Sequence, residues 1–83
     1  MIGRVLEIAE AGRHLCVSRG FLCIKSSGEE LGRTPLDDLH AVIVTGHGTT
    51  FSGNLAAALA ARGVPLVICR SNLMPVAYVW PTE

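Results

Sequence analysis

Five residues between an apolar run and an alanine-rich segment, Gly46-His47-Gly48-Thr49-Thr50, have the composition of a loop that could cradle a phosphate. Backbone N–H groups at a helix start bind anions, and glycine lets the backbone approach them closely. No Gly-Lys-Ser or Gly-Lys-Thr accompanies the glycines, however, and a sharp strand-to-helix turn needs the same residues. His14, His40 and His47 are the imidazoles that a metal could use, with the carboxylates Asp37 and Asp38 near His40. Their spacing matches no ligand set, and acidic residues in turns ordinarily bond nearby backbone N–H groups, so no metal ligand and no catalytic residue is assigned.

Cys16 and Cys23 flank Arg19-Gly20 symmetrically. If that dipeptide is a two-residue hairpin loop, Ser18 faces Phe21 and Cys16 faces Cys23, close enough for a disulfide. Three cysteines, none in a CxxC spacing, fit a reducing compartment, and two small buried hydrophobes are the simpler expectation. Basic residues are scattered, at Arg4, Arg13, Arg19, Lys25, Arg33, Arg62 and Arg70. Arg13, His14 and Lys25 can share one edge of the hairpin, either as a solvated face or as a contact to backbone phosphates.

The elements that must position these groups are short. Strands are expected over Arg4 to Ile8, His14 to Ser18, Phe21 to Lys25 and Ala41 to Val44, and Glu29 to Thr34 can form a further short strand. Turns fall at Glu10 to Arg13, Arg19-Gly20 and Ser26 to Gly28, and a tight helical turn at Pro35 to Leu39. The one helix runs from Ser52 to Arg62, with Leu55 and Leu59 on one face, Thr50 or Ser52 as N-cap and Gly63 as the stop. Two strands follow, Val64 to Ile68 and Pro75 to Trp80, the second with Val76, Tyr78 and Trp80 on one face. This order predicts an α+β fold, mainly antiparallel β: a small β-sandwich-like domain with one α-helix.

Composition supports one packed domain of 83 residues, 49% hydrophobic and 17% charged. Seven basic residues balance seven acidic ones, which argues against a stand-alone nucleic-acid binder and leaves little repulsion to oppose self-association. No apolar run nears the ~18 residues of a membrane span, and Met1-Ile2-Gly3-Arg4 lacks a signal layout. The expectation is a cytoplasmic protein without a membrane partner. The apolar stretch running straight into Pro81-Thr82-Glu83 reads as a truncated chain. On the hairpin register, Leu15, Val17, Leu22 and Ile24 face the core, while Cys16, Phe21 and Cys23 form an apolar patch on the other face, a candidate dimer contact.

Arg4-Val5-Leu6-Glu7-Ile8, Arg13-His14-Leu15 and Arg19-Gly20-Phe21-Leu22 resemble the start of the CRISPR-associated Cas-one integrases, the type II version most of all. The resemblance is stronger from Pro35 to Val44, through His47-Gly48-Thr49-Thr50-Phe51-Ser52, and on to Ala60-Ala61-Arg62-Gly63-Val64-Pro65-Leu66-Val67. Pro75 to Pro81 resembles the type II continuation. The resemblance implies the amino-terminal β-rich domain, residues 1–83, of a spacer-acquisition protein whose carboxy-terminal helical catalytic domain is absent. It implies a metal-dependent DNA endonuclease and integrase when whole, using magnesium or manganese, and homodimers bound to a Cas-two partner and DNA. The family's Glu, His and Asp metal ligands match no position here, so the chain alone is expected to hold no cofactor and to be inactive. In part of the family the first hairpin brackets the end of the DNA duplex, which implies DNA contacts at Arg13 and His14. No aromatic stands at that turn, leaving a phosphate or base-edge contact. Two other readings are a self-contained small protein-binding module and a small phosphate-binding α/β domain built on Gly46 to Thr50.

Overall fold

The computed structural model describes residues 4–69 and the backbone of residues 75–79. The elements are β1 (Arg4–Ile8), β2 (His14–Ser18), β3 (Phe21–Ser26), β4 (Glu29–Pro35), a single 3-10 turn (Leu36–Asp38), β5 (Leu39–Val44), β6 (Thr50–Phe51), α1 (Gly53–Ala61), β7 (Leu66–Cys69) and β8 (Pro75–Val79). They build two four-stranded sheets, one in the order β1-β5-β7-β8 and the other β4-β3-β2-β6. The expected α+β class and two-sheet arrangement are present. The side chains of Val76 and Tyr78, and Trp80 altogether, lie outside the described residues.

The second sheet follows directly from local chemistry. Arg19 and Gly20 both have positive φ (53° and 81°), as do Ser27 and Gly28 (52° and 81°). Two successive left-handed residues twist a two-residue loop to match the strands it joins. The β2–β3 register is therefore the one the spacing predicts, with Ser18 opposite Phe21 and Cys16 opposite Cys23. β4 continues the antiparallel meander, with a register shift between Ile24 and Lys25.

The first sheet is less antiparallel than expected. β1, β5 and β7 run parallel, and only β8 is antiparallel to its neighbour. The whole β2–β4 meander is the connection from β1 to β5, and α1 is the connection from β5 to β7. Parallel neighbours need such crossovers, because a hairpin cannot join them. Between the sheets, Leu15 and Leu22 of the second meet Val42, Val44 and Leu66 of the first, with Leu55 and Leu59 of α1 in the same cluster. Leu15, Leu22, Val42, Leu55 and Leu66 are each fully buried. Burying a side chain of this size stabilises a fold by about 1.5–3 kcal/mol, so an aliphatic core substitutes for the scarce aromatics.

α1 begins at Ser52, whose Oγ accepts from the Leu55 N–H at 3.1 Å, which decides between the two possible caps. It ends where Gly63 takes φ 69° and Val64 N–H returns to the Leu59 carbonyl at 2.9 Å. No helix among the described residues is long and apolar enough to cross a membrane.

Candidate functional site

Arg13 and His14 sit where the turn after β1 enters β2. Ile8, 2% exposed, anchors the end of β1 in the core. The chain then reverses through Gly12 at φ 73°. The segment Thr45 to Thr50 packs along this turn. Thr45 and Gly46 N–H groups both donate to the Ile8 carbonyl, at 2.9 and 3.0 Å. Gly12 N–H donates to the His47 carbonyl at 2.8 Å, and Thr50 N–H to the Arg13 carbonyl at 3.0 Å. The last of these belongs to a short parallel pairing of β6 with β2, His14 opposite Thr50.

The side chains follow from that frame. His14 Nδ1 and Thr50 Oγ1 are 2.6 Å apart and exposed. Lys25 lies opposite His14 on β3. The half-buried Arg13 donates from Nη1 to the Ala11 carbonyl at 3.2 Å. Arg13, His14 and Lys25 are thus grouped at one end of the second sheet, as the hairpin pattern predicts, and Thr50 joins them. The sequence marks Thr50 as part of the Gly46 to Thr50 loop or as a helix cap, but nothing in it signals a place beside His14, because β6 is two residues long and its pairing spans thirty-six positions. The cluster offers cationic donors and a hydroxyl at a strand end, chemistry suited to phosphate oxygens.

The Gly46 to Thr50 loop does not open α1. β6 intervenes, and the N–H groups of Gly46 and Thr50 are already bonded to the β1–β2 turn. The cap at Ser52 serves the helix start. A cavity of about 290 Å³ lies beside the loop at the carboxyl ends of β5 and β7, lined by Val44, His47, Thr49, Phe51, Ile68 and Cys69. Among the described residues, no three His, Cys, Asp or Glu side chains come together where a metal could be held. Asp37, read beside His40 in the sequence, instead accepts from Arg62 Nε at 3.0 Å, tying the 3-10 turn to the end of α1.

The outer face of the second sheet carries Cys16, Phe21 and Cys23. All three cysteines of the chain are free. Cys16 and Phe21 are half-buried, but Cys23 is 1% exposed, so it lies beneath the face and the expected three-residue patch reduces to two. The cover comes from β4. Arg33 stands opposite Cys23, forks onto Glu30 at 2.9 and 3.0 Å, and places its guanidinium 5.3 Å from the Phe21 ring centre. The sequence carries a hint of this in the Glu30-x-x-Arg33 spacing, but the strand shift that brings the pair over Cys23 has no local signal. Burial pushes the Cys23 thiol pKa up, and the Glu30 carboxylate adds to the rise. The hydrogen bond from Arg33 holds Glu30 below the usual carboxylate range.

This geometry has counterparts among known proteins. The family model described as CRISPR associated protein Cas1 matches residues 6–83. No curated protein matches the chain by sequence. A Cas1 protein from Thermotoga maritima superposes with a TM-score of 0.83 at 13% identity, covering 100% of this chain and 25% of that one. A Cas6-RT-Cas1–Cas2 complex gives a TM-score of 0.88 at 20% identity, over 100% of this chain and 9% of that one. A casposase bound to integration product gives 0.74 at 20% identity, over 96% of this chain and 26% of that one. The chain therefore spans about a quarter or less of the length of these structures.

Proposed function

The chain belongs to the family of CRISPR associated protein Cas1, as its amino-terminal domain, and from that premise we propose that it is the dimerisation and DNA-end positioning domain of a spacer-acquisition integrase. The observation that carries the DNA reading is the grouping of Arg13, His14, Lys25 and Thr50 at one strand end. Cationic side chains and hydroxyls contact backbone phosphates and thereby fix register and orientation, while carrying no sequence information. A domain with no net charge binds DNA weakly by itself and acts as a guide within a larger assembly.

A Cas-two partner and a second copy of this chain complete the proposed assembly. Support for the partner is the likeness to the Cas6-RT-Cas1–Cas2 complex, and support for integration is the likeness to a casposase bound to integration product. For self-association we propose the outer face of the second sheet around Cys16 and Phe21. We place the protein in the cytoplasm, where its free thiols remain reduced.

The magnesium or manganese that the family resemblance implies does not fit the described residues, which bring no three ligating side chains together. We therefore assign the metal, and the strand-joining chemistry, to a helical domain outside residues 1–83. The experiment is to replace Arg13 and His14 together by alanine in the host's own protein and sequence its CRISPR array for new spacers. The reading predicts fewer new spacers, or spacers of altered length. Unchanged number and length would overturn it.

A further inference from the structure

The Gly46 to Thr50 motif has the look of a ligand loop, yet its backbone is spent on the neighbouring turn. Four backbone hydrogen bonds join Thr45–Thr50 to the segment Ile8–Arg13, two at the Ile8 carbonyl, one at Gly12 N–H and one at the Arg13 carbonyl. They hold the turn at its start, its apex and its exit. The close approach depends on Gly46. A Cβ there would stand 2.1 Å from the Glu10 carbonyl oxygen and 2.8 Å from the Glu10 carbonyl carbon. Both are backbone atoms, so no side chain can move aside, and either the turn or the loop must shift. The remaining side of the contact is Gly12, whose φ of 73° only glycine or asparagine adopts readily.

We propose that Gly46 is a positioning residue: it lets the Thr45–Thr50 loop seat against the β1–β2 turn and so holds Arg13 where it reaches a phosphate of duplex DNA. This rests on the DNA-contact reading above. The loop backbone carries no ligand and serves as the frame of the neighbouring site. Thr50, at the loop's end, is held separately by the pairing of β6 with β2, so Gly46 acts through Arg13.

That last clause is testable by a double-mutant cycle, since residues acting through one another lose additivity. Arg13→Ala, Gly46→Ala and the double variant are titrated with an end-labelled duplex at several salt concentrations. Removing one charged phosphate contact should weaken binding roughly tenfold and reduce the salt slope by about 0.9. Gly46→Ala should reproduce both changes, and the double variant should bind no worse than Arg13→Ala. A turn merely weakened elsewhere would make the two losses multiply, which overturns the proposal, as does a Gly46→Ala protein that binds like the parent. If Arg13→Ala itself binds like the parent, the DNA-contact reading falls and this inference with it. Should Gly46→Ala not fold by circular dichroism, the Gly12 pair replaces it. Gly12→Ala should weaken binding with no further loss in the Arg13→Ala background, and Gly12→Asn, tolerant of the left-handed backbone, should restore it. Equal binding by these two variants would refute the positioning role.

Discussion

Phe21→Asp should convert a dimer of this chain to monomer while leaving the fold intact. The half-buried ring contributes about 1 kcal/mol of the roughly 1.5–3 kcal/mol of a fully buried aromatic. An 83-residue domain has about 4–12 kcal/mol of stability, so the variant remains folded. Self-association is affected far more. A two-fold contact places both copies of the substitution in one interface. Each new carboxylate would be buried there, and the single charge of Arg33 is already balanced by Glu30, which takes its Nε and Nη2 and leaves only Nη1 to donate. A buried group without a partner costs at least about 2 kcal/mol. Counting even one of the two copies at that cost, with some relief at the rim, the dissociation constant should rise by more than about tenfold, and with both by about a thousandfold. Analytical ultracentrifugation of both proteins across a wide concentration range measures this, with circular dichroism as the check on folding. A folded Phe21→Asp protein that stays dimeric would refute this surface, and a parent protein monomeric at high concentration would refute dimerisation altogether.

The chain incubated with linear and branched DNA plus magnesium or manganese should cleave and join nothing; cleavage abolished by substituting one of its own residues would contradict this. All three thiols should react in denaturant, whereas in the folded protein Cys23 should be alkylated more slowly than Cys16, because burial and the Glu30 charge both disfavour its thiolate. Equal rates, read by mass spectrometry of the digested protein, would count against that burial. Because Arg33 lowers the Glu30 pKa, the pair's contribution is present above the ordinary value of 4.5 and is lost as the pH falls through the folded value. Melting curves of the parent and Glu30→Gln should therefore differ slightly at neutral pH and converge in acid; a gap that widens in acid would reverse the assigned sign.

What the sequence discloses about this fold is what is local. The two-residue spacing around Arg19-Gly20 determines the β2–β3 register, and with it the pairing of Cys16 with Cys23. Leu55 and Leu59, four apart, mark the buried face of α1. Long-range parallel pairing leaves no such trace. A continuous run such as Ala41 to Val44 reads as a buried strand, yet its partners, β1 and β7, lie on the far sides of a three-strand meander and a helix. β6 escapes detection because two residues have no periodicity, and with it goes the link between His14 and Thr50. The burial of Cys23 is equally hidden. Alternation along β3 correctly puts it on the outer face, but the cover from Glu30 and Arg33 depends on how β4 pairs after its register shift.

Recognition of the end of a DNA duplex, through phosphate contacts at Arg13 and His14, is the central role proposed for this domain. Two forms of one sequence, a linear duplex and the same duplex closed into a circle, separate ends from interior at constant charge. Titrating each with the parent chain and with Arg13→Ala, at low and moderate salt, gives the comparison directly. The expected result is weak, salt-sensitive binding that favours the linear form, with a preference that disappears in Arg13→Ala. Equal binding to the circle and the linear duplex, or an end preference that survives the loss of Arg13, would contradict it.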